Sequence, residues 1–154
     1  MNTLVQSLRQ DGRITIMEGH GKIIDLVVPE RWQNPGDSRE GIFLIFEMFQ
    51  IRSFAQAFSE VSLDIVELAS KPIIYHTPAN ESLINAPMVN GKVKFAFIQE
   101  GFWNKLLFNF GRPLIYQASD KMEAENNISH KFPLAAEDVR EMFLGSQGEV
   151  KILK

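Results

Sequence analysis

An α/β or α+β fold, with a single twisted mixed β-sheet and helices packed on it, is what this chain of 154 residues predicts. Three observations carry that expectation. Short β-branched and aromatic runs ("RITIM", "KIIDLVV", "PIIYHT", "KVKFAF") alternate with segments of helical period. The composition, 45% hydrophobic and 23% charged, is that of a chain with an ordinary packed core. No repeat, low-complexity tract or long linker divides it, so one domain over residues 1–154 is expected.

The elements follow in order. "NTLVQSLRQDG" places Leu4, Val5 and Leu8 on one helical face, with Asn2 as cap and Gly12 as stop. Strands from Arg13 and through "KIIDLVV" flank "EGHG", whose glycines suit a tight connection. "PERWQNPGDSRE", with two prolines, reads as an exposed loop, and the apolar run "GIFLIFEMF" as a strand covered on both faces. Phe54, Phe58, Val61, Ile65 and Leu68 recur at steps of three and four. They predict a helix over 53–69, capped by Ser53 with Gln56 and broken near Ser62 or continuous. Strands from Pro72 and Lys92 come next, the latter with Val93, Phe95 and Phe97 inward and Lys92 and Lys94 outward. A buried helix over 101–110 ends at Gly111, a strand starts at Pro113, a helix is expected over 135–143 and a last strand at Val150. The three later helices would supply the crossovers that parallel strands need. Phe43, Ile45, Phe58, Ile65, Phe95, Leu106 and Leu114 form the expected core.

Several classes of chemistry are excluded. With no cysteine, disulfides, thiolate metal sites and cysteine nucleophiles are absent, which fits a reducing compartment. No apolar run approaches the roughly 18 residues of a membrane span and no leader pattern opens the chain, so a cytoplasmic protein without a membrane partner is expected. A net charge of −3 argues against general nucleic-acid binding and leaves only local RNA contact open. His20 has one nearby carboxylate, Glu18, too little for a metal site; it reads as an exposed turn histidine without a role. Trp32 could stack a base but more often such a residue packs on its own domain.

The run "NGKVKFAFIQEGFWNKLLFNFGRPLIYQASD" resembles the segment of YrdC-like proteins, the threonylcarbamoyl-AMP synthase family of tRNA modification, in which V-x-V-R-I-P precedes a helix, G-x-P-L and T-S-A-N. "LVQSLRQDGRITIM" is similar to that family's opening helix and strand, and "PLAAEDVREMFLGSQGEVKIL" to its late helix and strand. The resemblance implies the family's twisted sheet, and ATP and threonine held in a positively charged concave groove. The functional residues do not carry over. Against T-S-A-N stand Gln117, Ala118, Ser119 and Asp120; Ala118 cannot donate a hydrogen bond and ionised Asp120 only accepts. Asn34 and Gly36 stand at K-x-R, Ala96 replaces the arginine of V-x-V-R-I-P, and "MEGHGKII" takes the place of P-T-D-T-x-Y-G-L.

The ligand-contact candidates are Gln117, Ser119 and Asp120 at a strand end, His76 at the end of "PIIYH", Lys94, and Arg39 in the polar loop with Asp37 and Ser38. No catalytic or metal-binding residue is assigned, which leans against an enzyme. Three readings stay open: a divergent YrdC-like module that binds ATP, another nucleotide, a small molecule or RNA; an active synthase; and an interaction protein that forms a homodimer through Trp103 and Phe108.

Overall fold

The computed structural model describes residues 1–32, 41–99 and 101–154. Helix α1 (Asn2–Asp11) leads into β1 (Arg13–Met17) and β2 (Ile23–Val27), an antiparallel hairpin. Then come β3 (Ile42–Ile45), α2 (Glu60–Leu68), β4 (Ile73–Pro78), β5 (Lys92–Phe97), α3 (Gly101–Phe110) and β6 (Leu114–Ala118). A short β7 (Asn126–Asn127), β8 (Arg140–Leu144) and β9 (Val150–Ile152) complete the order. Among the described residues the nine strands form one mixed sheet, ordered β7-β1-β2-β6-β3-β5-β4-β8-β9. The β1/β7, β3/β5 and β4/β8 pairs are parallel and the rest antiparallel.

Alternation along the strands sends side chains to two faces, and both are covered. On the first, Ile14, Ile16, Ile24, Leu26, Leu44 and Leu114 meet Leu4 and Leu8 of α1 and Trp103, Leu106 and Leu107 of α3. On the second, Phe43, Ile45, Tyr75, Val93, Phe95 and Ile115 meet Val66 of α2, Phe54 and Trp32. Phe43 stacks on Phe54 at 4.4 Å and Tyr75 on Phe95 at 5.1 Å between centroids. Each fully buried ring of this kind contributes about 1.5–3 kcal/mol by transfer from water. Trp32 is therefore a core residue, as the packing alternative had it.

Five expectations need correction. The segment 135–143 is no helix: a 3₁₀ turn at Pro133–Ala135 precedes β8, whose ladders with β4 and β9 outweigh the helical propensity of Glu, Met and Arg. The parallel β4/β8 pair is thus reached through β5, α3 and β6. The helix expected from Ser53 divides into a 3₁₀ turn, Met48–Ser53, and α2, capped by Ser59 accepting from the Ser62 amide. Between them the chain extends so that Phe54 can enter the core and Ala55 can bridge Ala79. As a result α2 buries Ser62 and Val66, while Val61 and Leu68 are exposed and Phe58 and Ile65 only half-buried. The other five expected core residues are buried. Asn2 makes no cap, because Met1 occupies that position. Trp103 is no association surface: it is buried, with Nε1 donating to the Lys131 carbonyl at 2.9 Å. Phe108 is exposed, edge-on to Phe46 at 5.8 Å.

Candidate functional site

Register places four side chains in a line. Lys94 on β5 pairs with His76 on β4, His76 with Phe143 on β8, and Phe143 with Lys151 on β9. Directly paired residues share a face, so the four form one row about 14 Å long, given strand spacings near 4.8 Å. The row shares its face with Ile74, two residues before His76, which packs against the first core. Helices α1 and α3 cover the β1, β2, β6 and β3 part of that face, and the row continues beyond them.

The row is cationic and half open. His76, Lys94 and Phe143 are half-buried, whereas Lys92 and Lys151 are exposed. His76 Nε2 lies 2.7 Å from Glu141 Oε1, which fixes the ring. Lys92 Nζ sits 5.0 Å from the Phe143 ring centroid, a cation–π contact. His76, Lys92, Phe143, Lys151 and Leu153 line a cavity of about 260 Å³. Neither Lys92 nor Lys151 forms an ion pair among the described residues. Two cations beside an aromatic face suit an anion carrying a planar group.

The candidate residues are thereby divided. His76 and Lys94 are cross-strand neighbours in the row. Gln117 is a buried residue near the end of β6, opposite Asp25 and in a row with Thr15 on the other face of the sheet. There Thr15 Oγ1 donates to Asp25 Oδ1 at 2.7 Å, Lys121 Nζ reaches Thr15 Oγ1 at 3.4 Å, and Gln117 Oε1 is buried without a partner among the described residues. Ser119 closes the chain after β6, its amide donating to the Ile23 carbonyl and its Oγ accepting from the Lys121 amide. Asp120 is exposed at that end. Arg39, Asp37, Ser38, Asn34 and Gly36 lie outside the described residues. Among the described residues, no group of three or more metal-ligating side chains gathers. Phe143 and Lys151 escaped the sequence reading because β8 was read as helix. The hairpin signal "LGSQGE", with Gly148 at φ 89°, could have found them.

The β1–β2 turn, where the resemblance sets "MEGHGKII" against P-T-D-T-x-Y-G-L, is closed around one carboxylate. Glu18, 2% exposed, accepts at Oε2 from the His20 and Lys22 amides and at Oε1 from the Phe132 amide and the His20 ring. Burial alone would raise its pKa, but these bonds outweigh burial and hold the carboxyl below the usual value. His20 is thus a turn residue with a structural partner.

No family model and no curated protein matches the sequence. Solved structures that share its fold include the following two. Sua5 from P. abyssi, in a double-substitution form, superposes with a TM-score of 0.73 at 12% identity over 99% of this chain and 52% of its own. Full-length HypF, in its phosphate- and nucleotide-bound form, superposes with a TM-score of 0.67 at 9% identity over 99% of this chain and 28% of its own. The chain therefore spans about half of the one and about a quarter of the other. The fold is YrdC-like, as the resemblance implied. No helix among the described residues is long and apolar enough to cross a membrane.

Proposed function

We propose that the chain is a nucleotide-binding module, a divergent relative of the YrdC-like proteins of tRNA threonylcarbamoyladenosine synthesis that has lost the AMP-forming step. The observation that carries this is the row Lys94, His76, Phe143 and Lys151 with Lys92 beside it. It gathers cations in a chain of net charge −3, on the fold of a protein solved with phosphate and nucleotide bound. In this reading Lys92 and Lys151 meet the phosphates. Phe143 takes the base, whose stacking is worth about 1–3 kcal/mol. His76, held by Glu141 through Nε2, keeps its ring fixed beside the anion. The polar groups at the β1–β2 turn and after β6 are engaged in closing turns, which supports the loss of turnover.

Calorimetric titration with AMP, ATP, threonine and short RNA tests the reading, together with a pyrophosphate-release assay. AMP and ATP should bind, and the paired reversal Lys92→Glu and Lys151→Glu should weaken binding at least about tenfold, since each lost phosphate contact is a charge-assisted bond. Pyrophosphate release that requires both ATP and threonine would contradict the lost step. Unchanged nucleotide affinity in the reversed protein would contradict the site.

A further inference from the structure

Three arginines gather on the same face as the row but toward the other edge of the sheet, where α1 ends, β2 ends and α3 gives way to β6. Arg9, Arg31 and Arg112 border a cavity of about 370 Å³ with an apolar floor of Leu8, Val28 and Phe110. One carboxylate, Glu30, shares the lining, so three arginines stand with a single negative charge. Arg9 has a structural duty, because its Nη2 donates to the Asn109 and Phe110 carbonyls at the end of α3, at 3.3 and 3.2 Å. Arg112 Nη1 is held by Glu30 Oε1, and both Arg9 and Arg112 lie over the Phe110 ring, at 5.4 and 5.3 Å from its centroid.

Arg31 is different. Its aliphatic stem lies over Gly12, where an added Cβ would come within 2.3 Å of Cγ, so the missing side chain at Gly12 is what lets the arginine lie there. Its guanidinium has no hydrogen-bond or carboxylate partner among the described residues. Capping and one surface ion pair account for Arg9 and Arg112 but leave this third cation uncompensated in a chain of net charge −3.

We propose that this cavity binds a small divalent oxyanion of the phosphomonoester class, independently of the row on β5, β4, β8 and β9. Forked guanidiniums match a tetrahedral oxyanion better than the two separated centres of a dicarboxylate. Val28 and Phe110, 6% and 4% exposed, give the ester's organic body a narrow apolar edge, and the volume is at the small end of ligand cavities.

The test is an amide and arginine side-chain NMR titration of the whole chain with inorganic phosphate, phenyl phosphate and succinate. Saturable shifts at Gly12, Arg31 and Phe110 are expected, strongest for phenyl phosphate and weakest for succinate. Arg31→Gln should weaken phenyl phosphate by about tenfold, the scale of one charge-assisted bond, and Glu30→Gln should tighten it several-fold by releasing Arg112. Reversal of Lys92 and Lys151 should leave these shifts unchanged, which separates this site from the nucleotide row. Absence of saturable shifts up to tens of millimolar, identical titration of wild type and Arg31→Gln, or preference for succinate would overturn the proposal.

Discussion

Replacement of Glu18 by Gln removes the acceptor that holds the β1–β2 turn to the Phe132 segment. Each carboxylate oxygen accepts from two donors: Oε2 from the His20 and Lys22 amides at 2.8 and 2.9 Å, Oε1 from the His20 ring and from the Phe132 amide at 2.9 Å. A glutamine amide has one acceptor, so turned its better way it leaves the buried Phe132 amide facing an NH₂ group, while the His20 ring can switch tautomer and accept. The stranded donor costs about 1–3 kcal/mol and the passage of the remaining bonds from charged to neutral about 1 more, which puts the loss at about 2–4 kcal/mol. For a chain of this size that corresponds to a fall in Tm of about 5–12 °C. Urea denaturation followed by circular dichroism at neutral pH measures it.

The acid limb gives a second readout of the same group. Because the folded carboxyl is held below its ordinary 4.5, its stabilisation is complete above that pH and is lost as pH falls through the lower folded value. Wild type should therefore lose more stability than Glu18→Gln as pH falls below 4.5. A variant within about 1 kcal/mol of wild type, with the same acid slope, would refute the reasoning.

Further predictions concern packing and burial. Gln117→Met removes an acceptor buried without a partner, so stability should hold or rise by up to about 1 kcal/mol in urea denaturation; a loss above about 2 kcal/mol would show that the amide is bonded. Gly12→Ala should cost about 1–3 kcal/mol, because φ is 75° and the new Cβ meets the Arg31 stem. Burial pushes the Tyr75 hydroxyl up to about 12, and burial followed by the Glu18 charge raises Tyr116. Both phenols favour the neutral form, so their contribution is complete below the ordinary value of 10.0 and lost as pH rises above it. With only two tyrosines in the chain, ultraviolet titration should show both ionising late, and a transition at the ordinary value in folded protein would contradict the burial. Val61→Lys and Leu68→Lys should each change stability by less than about 0.5 kcal/mol, since both side chains face water.

Much of the sheet was legible because its central strands are β-branched or aromatic runs with clear punctuation. β1, β2, β4, β5 and β6 lie where period and glycine placed them, and Gly12 and Gly111 stop α1 and α3 at positive φ. The failures have a common physical form: local propensity lost to long-range demand. Arg140 to Leu144 contain good helix formers, yet two neighbouring strands require their backbone groups. Phe54 and Phe58 extend the helical period of α2 on paper, but Phe54 stacks on Phe43 on the second face of the sheet and pulls the chain straight. The candidate site was only half visible for the same reason. His76 and Lys94 stood out as strand residues, whereas their partners Phe143 and Lys151 depend on a pairing between segments about 65 residues apart, as in the contact of His76 with Glu141. Gln117, next to the polar residues after β6, faces the opposite side because side chains alternate.

The most direct measurement of the central claim is an amide NMR map of AMP binding on the whole chain. Besides those at the Arg31 cavity, saturable perturbations should fall on His76, Lys92, Lys94, Phe143 and Lys151, with ring-current shifts at Phe143, and these five should vanish with Lys92→Glu and Lys151→Glu. Saturable perturbations confined to residues 117–121, or anywhere else away from β5, β4, β8 and β9, would contradict it, as would the absence of any response to AMP.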